Sequence, residues 1–222
     1  MGWTKPSGKI ASFFKTGPQY RYKKGEIIIR PEDIPSGIYY VEKGFIKAYS
    51  ITLDGSENIF LFLQPGGIFP GHWQYSPNEE SKHYYEAISP VILHRKAKVD
   101  FDTLITSDLE ASREIHAVML DVVNTLAQRI ENLEHTNAYA RVVLHLLGLA
   151  MVFGNQKENK ITLEVPLTHY DFAHSINMSR ETASRELEKL KKKNLISEKN
   201  HLITITDSQK LRQEFDVFYE NK

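Results

Sequence analysis

The feature that most constrains this chain is a change of hydrophobic period part-way along it. From Gly25 to about Phe101 the apolar residues come in short runs rich in β-branched and aromatic side chains, each closed by a glycine, a proline or a polar turn. Further on they recur as Ile115, Met119, Val122, Leu126, Ile130 and Leu133, which is 18 residues in five steps, a mean spacing of 3.6. A chain that reads this way is neither a uniform helix bundle nor a uniform sandwich. It is α+β, with an antiparallel β half first and a helical half after it.

The β half contains strand candidates at Glu26–Arg30, Ile38–Val41, Phe45–Ser50, Asn58–Leu63, Tyr84–Ile88 and Val91–Arg95. Asp54-Gly55 marks a tight hairpin, because its residues tolerate positive φ. Together these strands predict an antiparallel roll or sandwich over residues 1–106. Ser107-Asp108-Leu109-Glu110 has the form of a capping box, opening a helix from about Asp108 to His135 that would be roughly 40 Å long. Arg113, Asp121, Gln128, Glu131 and Asn132 occupy the face opposite the apolar stripe. A helix longer than its small domain projects beyond it, so residues 107–136 read as a dimerisation helix; the competing reading packs the stripe on the β half. Residues 137–222 form a third segment. Asn137 caps a helix over Arg141–Val152, and Gly154–Lys160 reads as a polar connection. Two short helices follow at Thr168–Ile176 and Ser179–Lys192, then a hairpin turning at Lys199-Asn200-His201. Asp207 or Ser208 caps a last helix to about Tyr219.

Composition excludes several classes. The 222 residues include no cysteine, which removes disulfides, thiolate nucleophiles, Cys-ligated zinc and Cys-ligated iron–sulfur clusters together. Lys and Arg number 28 and Asp and Glu 28, so any nucleic-acid site must be local rather than a property of the whole surface. No apolar run approaches the ~20 residues that cross a bilayer, and the start lacks a secretory apolar segment, so the expectation is a cytoplasmic protein with no membrane partner.

The chemistry concentrates between Leu167 and Leu187. Thr168 with Asp171 caps the first short helix, Asn177 suits a left-handed turn, and Ser179 caps the second helix. Phe172, Ile176, Met178, Ala183, Leu187 and Leu190 give the pair a shared core, with Ala173 small at the close approach. Arg180, Glu181, Ser184 and Arg185 are left near the outward end of the second helix. Arginine forks onto O6 and N7 of guanine, and glutamate accepts from N4 of cytosine. An acid beside phosphates is otherwise a liability, so its place between two arginines argues for base reading. The competing reading is a solvated helix with a Glu181–Arg185 ion pair. The arrangement is a helix-turn-helix, with double-stranded DNA as the expected partner.

The run Ser179-Arg180-Glu181-Thr182 with Arg185, Leu187, Leu190 and Asn194-Leu195-Ile196 resembles the recognition helix and wing of the Crp/Fnr family of bacterial transcription regulators. Gly25-Glu26, Ile38 to Gly44 and Leu63-Gln64-Pro65-Gly66 resemble its β-roll, and the stripe from Ile115 its dimer helix. The resemblance implies a cyclic-nucleotide-binding-like roll of jelly-roll type, a long dimerisation helix and a winged helix-turn-helix. It implies a homodimer on a near-palindromic site, with RNA polymerase as a candidate partner. Arg180, Glu181 and Arg185 would face bases; Ser179 and Thr182, with Thr168, Ser184 and His201, would face phosphates; Ile115, Met119, Val122, Leu126, Ile130 and Leu133 would face the second copy. Glu186 departs from the family at a usually apolar position, which would loosen the packing under the helix.

The sensing half departs further. Cyclic-AMP-binding members carry a Gly-Glu pair and, about ten residues on, an Arg-Ser pair. Here His72 stands where the acid would be, the second region reads Ser81-Lys82-His83-Tyr84 without arginine, and the helix offers a base only Leu126-Ala127. Control by cAMP is therefore not expected, nor, without cysteine, an iron–sulfur cluster. No cofactor is expected; an effector of another kind would meet His72, Trp73, Lys82, His83 and Tyr84. His72, His83 and His94 lack a metal-ligand spacing, so no metal site is expected. Two rival readings are a small-molecule-binding module without DNA chemistry and a cupin-like metalloprotein; the Arg-Glu-Arg set speaks against the first and the scattered histidines against the second.

Overall fold

The computed structural model describes residues 8–71, 80–135 and 137–220, with side chains as far as Phe215. Two compact units result. One comprises the chain up to Ser50 and from Phe60 to Val123; the other comprises Ile51–Ile59 and the chain from Asn124 on. Among the described residues no helix is long and apolar enough to cross a membrane.

The first unit opens with a helix the sequence reading did not anticipate, α1 (Lys9–Lys15), which buries Ile10, Ala11 and Phe14. Strands β1 (Gln19–Tyr22), β2 (Ile27–Ile29), β3 (Ile38–Lys43), β4 (Ile46–Ile51), β5 (Glu57–Leu63), β6 (Ile68–Phe69), β7 (Tyr84–Ala87) and β8 (Val91–Lys96) follow. They form two four-stranded sheets, ordered β1-β8-β3-β6 and β2-β7-β4-β5. The described pairings are antiparallel, for example Tyr40 opposite His94 and Ala48 opposite Tyr85. Val41, Ile46, Ala48, Phe69, Ala87 and Leu93 fill the core with little or no exposed surface. Gly44 is obligatory where β3 turns into β4: its φ is +86°, and a Cβ there would lie 2.2 Å from the Pro90 carbonyl oxygen. The Asp54-Gly55 hairpin is present, with Gly55 at φ +83°.

Helix α2 (Lys98–Ser107) replaces the expected end of the strand region, and α3 (Leu109–Glu134) follows it after a break at Asp108. The expected cap at Ser107 is corrected here. The Ser107 hydroxyl turns back to the Thr103 carbonyl within α2, and it is Asp108 Oδ1 that accepts from the amides of Glu110 and Ala111, at 2.9 and 3.1 Å. Both residues are good caps, and α2, invisible to a strand reading, takes the serine. Ile10, Phe14, Ile38, Tyr40, Phe101 and Ile115 make a second core between α1, β3, α2 and the start of α3.

The second unit contains α4 (Ala138–Phe153), capped by Asn137 as expected. Strands β9 (Gly154–Lys157) and β10 (Lys160–Leu163) pair where a polar connection was expected. Helices α5 (His169–Ser175) and α6 (Arg180–Lys192), strands β11 (Ile196–Lys199) and β12 (Leu202–Ile205), and α7 (Ser208–Glu220) complete it. The sheet order is β11-β12-β10-β9.

Candidate nucleic-acid interface

Helix α5 starts at a capping box, with the Thr168 side chain accepting from the Asp171 amide and the Asp171 carboxylate accepting from the Thr168 amide. Between α5 and α6, Asn177 takes φ +49°, and the Met178 amide returns to the Ala173 carbonyl at 3.0 Å. Ser179 caps α6, accepting from the Thr182 amide at 3.2 Å. Phe172, Ala173, Ala183, Leu187 and Leu190 are fully buried, which fixes one face of α6 inward. By helical geometry Ser179, Arg180, Glu181 and Arg185 then point outward, and all four are exposed. Behind them the hairpin of β11 and β12 turns through Asn200 and His201, both at positive φ (52° and 62°), as a two-residue turn of this hand requires.

The N-terminus of α6 thus presents free amides, a partial positive charge and an Arg-Glu-Arg set on one rigid element with a β-ribbon beside it. Two family models match the chain: a Crp-like helix-turn-helix domain over residues 140–214 and a cyclic nucleotide-binding domain over residues 19–108. The chain belongs to the Crp/Fnr family. Among its curated relatives, the global nitrogen regulator of Synechococcus elongatus is 26% identical over 88% of each chain. The nitrogen fixation regulation protein FixK of Bradyrhizobium diazoefficiens is 24% identical over 86% of this chain and 79% of its own. A solved structure of a CooA variant from Carboxydothermus hydrogenoformans shares the fold at a TM-score of 0.75 and 22% identity, covering 92% and 90% of the two chains. This Crp/Fnr protein is a transcription regulator with a helix-turn-helix DNA-binding domain, not an enzyme.

The polar side chains around α6 are differently committed. Thr168 gives its hydroxyl proton to Asp171, and Ser179 donates to Thr182 Oγ1 at 3.0 Å. Thr182, as acceptor of that bond, keeps its own proton for an external acceptor. Ser184 Oγ is 2.8 Å from His169 Nδ1, and the other nitrogen of His169 is 3.0 Å from Glu198 Oε2 on β11. One imidazole therefore ties the start of α5 to α6 and to the wing, a role that only the fold could reveal. Burial alone would raise the Glu198 carboxyl, but hydrogen bonds from Lys191 and His169 outweigh it and hold it below the usual carboxylate range. His201 is exposed at the wing tip, and its carbonyl accepts from the Leu167 amide.

Glu186 does not loosen the helix. It is 3% exposed, accepting from Arg185 Nε at 3.2 Å and from Lys189 Nζ at 2.6 Å. Among the described residues Arg185 pairs with this carboxylate, not with Glu181. A buried acid on two cations is a positioning device that apolar-pattern reading could only register as a misfit.

The dimer-helix stripe divides. Ile115 is 6% exposed and Met119 packs on the same core of its own unit, so Ile115 has no surface left for a second copy. This corrects the expectation for that residue. Val122, Leu126 and Leu133 are half-buried. The open apolar face runs through Leu120, Val123, Ala127 and Ile130, spaced 3, 4 and 3, with Val123 60% and Ile130 61% exposed.

His72 and Trp73 lie outside the described residues; Lys82 is exposed, His83 stands edge-on to Phe60 at 4.6 Å, and Tyr84 stacks on Tyr49 at 4.9 Å, on the face of β7 opposite Tyr85. His94 is tied to Glu42 at 2.9 Å, and that bond lowers the Glu42 carboxyl.

Proposed function

We propose that this regulator reads a near-palindromic DNA site as a homodimer, without cAMP. Arg180 and Arg185 each take a guanine and Glu181 a cytosine in the major groove, while Ser179, Thr182 and His201 sit against phosphates. The observation that carries this reading is the outward row of Arg180, Glu181 and Arg185 on a helix whose other face is wholly buried. Ser184 and Thr168 act from behind, through His169 and the capping box, with their hydroxyls held inside the protein rather than offered to phosphate. The second copy docks along Leu120, Val123, Ala127 and Ile130, the 3-4 spacing of a coiled-coil seam. Residues 1–106 sense, 107–136 dimerise and 137–222 bind DNA, in the cytoplasm where the target lies. RNA polymerase is the partner that would convert binding into altered transcription.

Selection from random duplexes with the purified protein, followed by sequencing, tests the proposal. The expected outcome is a two-fold motif with half-sites about 10 bp apart, centre to centre, rich in G and C at the contacted positions, and unchanged by cAMP. Binding of all duplexes alike, or a motif that emerges only with cAMP, would overturn it.

A further inference from the structure

His169 opens α5 and stands between two other elements of its unit. Its Nε2 lies 3.0 Å from Glu198 Oε2 on β11, and its Nδ1 lies 2.8 Å from Ser184 Oγ on α6. The Glu198 carboxyl, held below the usual carboxylate range, is an anion and can only accept. Nε2 therefore carries a proton. In a neutral ring the other nitrogen is then a bare acceptor, and the Ser184 hydroxyl must aim its proton at it. Lys191 Nζ reaches both Glu198 and Glu188, at 2.7 and 2.9 Å. With His169 neutral, two carboxylates share one ammonium, which leaves a net charge of −1 where the recognition helix meets the wing. Asp171, the one acid of α5, is committed to the capping box.

We propose that His169 is a proton-linked positioning residue of the DNA-binding domain: neutral in the free protein, it takes up one proton when DNA binds, and that proton frees the Ser184 hydroxyl to donate to a backbone phosphate. The inference rests on the DNA reading above and adds how one contact is switched on. In the charged ring Nδ1–H donates to Ser184 Oγ while Nε2–H stays on Glu198, so both ties persist without movement of the imidazole. The Ser184 O–H is no longer aimed at the ring and turns outward. Ser184 follows Arg180 by one helical turn, so the two share a face of α6, and it is half-buried rather than enclosed. The bound proton brings the cluster from −1 to zero, and phosphates then no longer approach an excess of carboxylate. Histidine is the side chain whose charge ordinarily changes between pH 5 and 8, so the residue type sets the coupling near neutral pH.

NMR of full-length protein carrying ¹⁵N-labelled histidine reads the protonation of each ring nitrogen directly. At pH 7.5 the free protein should show a neutral His169 with its proton on Nε2, and the complex with the selected duplex should show both nitrogens protonated. Titration calorimetry in Tris and in PIPES, whose heats of protonation differ, should give close to one more proton taken up per protomer by the parent than by His169→Gln. Fluorescence anisotropy from pH 8 to pH 6 should show affinity for the selected site rising, by up to about tenfold per pH unit per protomer. The loss caused by Ser184→Ala should grow as pH falls, because only the charged ring releases the hydroxyl. One protonation state for His169 in free and bound protein throughout this range overturns the proposal, and so does a Ser184→Ala loss that is equal at both ends of it. The NMR measurement uses the parent chain, so it decides even where His169→Gln does not fold. Selective DNA binding with no change at His169 defeats this inference alone; failure of the parent protein to select any site defeats the DNA reading, and this inference with it.

Discussion

Replacing Glu186 with methionine separates affinity from stability in a way few substitutions on a recognition helix do. The carboxylate is buried, yet the Arg185 and Lys189 side chains it binds are 66% and 53% exposed. A pair with one end in water contributes little to folding, up to about 1 kcal/mol, and an apolar side chain of similar volume replaces a buried acid at no loss or with a gain. The melting temperature should therefore stay level or rise. Binding should move the other way. Arg185 carries about 2 kcal/mol of rotamer entropy, and Glu186 fixes the Nε end of its guanidinium before DNA arrives. Without that hold, ordering Arg185 falls to the DNA complex, costing about 1–2 kcal/mol, which is roughly 5- to 30-fold in Kd for the specific site. Affinity for random duplex should rise slightly, as one negative charge leaves the end of α6 that faces phosphates. Fluorescence anisotropy at one salt concentration, on the selected site and on a scrambled duplex, reads both. In an Arg185→Ala background the Glu186→Met loss on the specific site should vanish, because the two residues act as one unit. Additive losses, or a folded Glu186→Met protein that discriminates as well as the parent, would refute the positioning argument.

Arg180→Ala, Glu181→Ala and Arg185→Ala should each cost roughly 1 to 3 kcal/mol on the preferred site and relax it at a single base pair per half-site; equal losses on specific and random DNA would count against direct readout. Val123→Glu should split the dimer in analytical ultracentrifugation by setting like charges against each other. Ile115→Ala should instead lower folding stability by about 2–5 kcal/mol and leave the association of the folded protein in place. His145 is half-buried with its ring edge-on to Phe172, and burial first, then the charge of Arg129, pushes its pKa down to about 3. Its unfolded form takes up a proton below the ordinary value of 6.5 and its folded form does not, so stability present at pH 7 is lost as pH falls from 6.5 toward 3. The loss is about 2 kcal/mol by pH 5; urea melts of the parent and of His145→Asn should diverge over this range, and parallel curves would sink the assignment.

What was legible in the sequence was what local chemistry decides. Thr168 with Asp171, Asn177, Ser179 and Asn137 each satisfy or bend the backbone within a few residues, so their roles follow from residue type and spacing. The period of 3.6 established a helix, but a period does not say which neighbour covers which turn. That is why Ile115 and Ile130 looked alike and lie, respectively, in the core of the first unit and on an open face. The β9–β10 hairpin was hidden for a similar reason. Gly154-Asn155-Gln156-Lys157 has every side chain exposed and no alternation to read, and β10 gains its place by pairing with β12, some 40 residues away. His169 was hidden because its partners become neighbours only when α5, α6 and β11 pack, and Glu186 because its burial, unlike its local partners Arg185 and Lys189, depends on that packing.

Helix α1 has no N-cap of its own: Gly8 offers no side chain, and the amides of Lys9 and Ile10 donate instead to the two carboxylate oxygens of Glu114, at 2.9 and 3.2 Å, from 105 and 104 positions along the chain. At seven residues α1 is too short to persist alone, so its stability depends on the carboxylate that α3 supplies. The amide protons of Lys9 and Ile10 become native reporters of where Glu114 stands: any shift of this part of α3 uncaps them, and hydrogen exchange at those two sites should quicken before anything else in the roll responds.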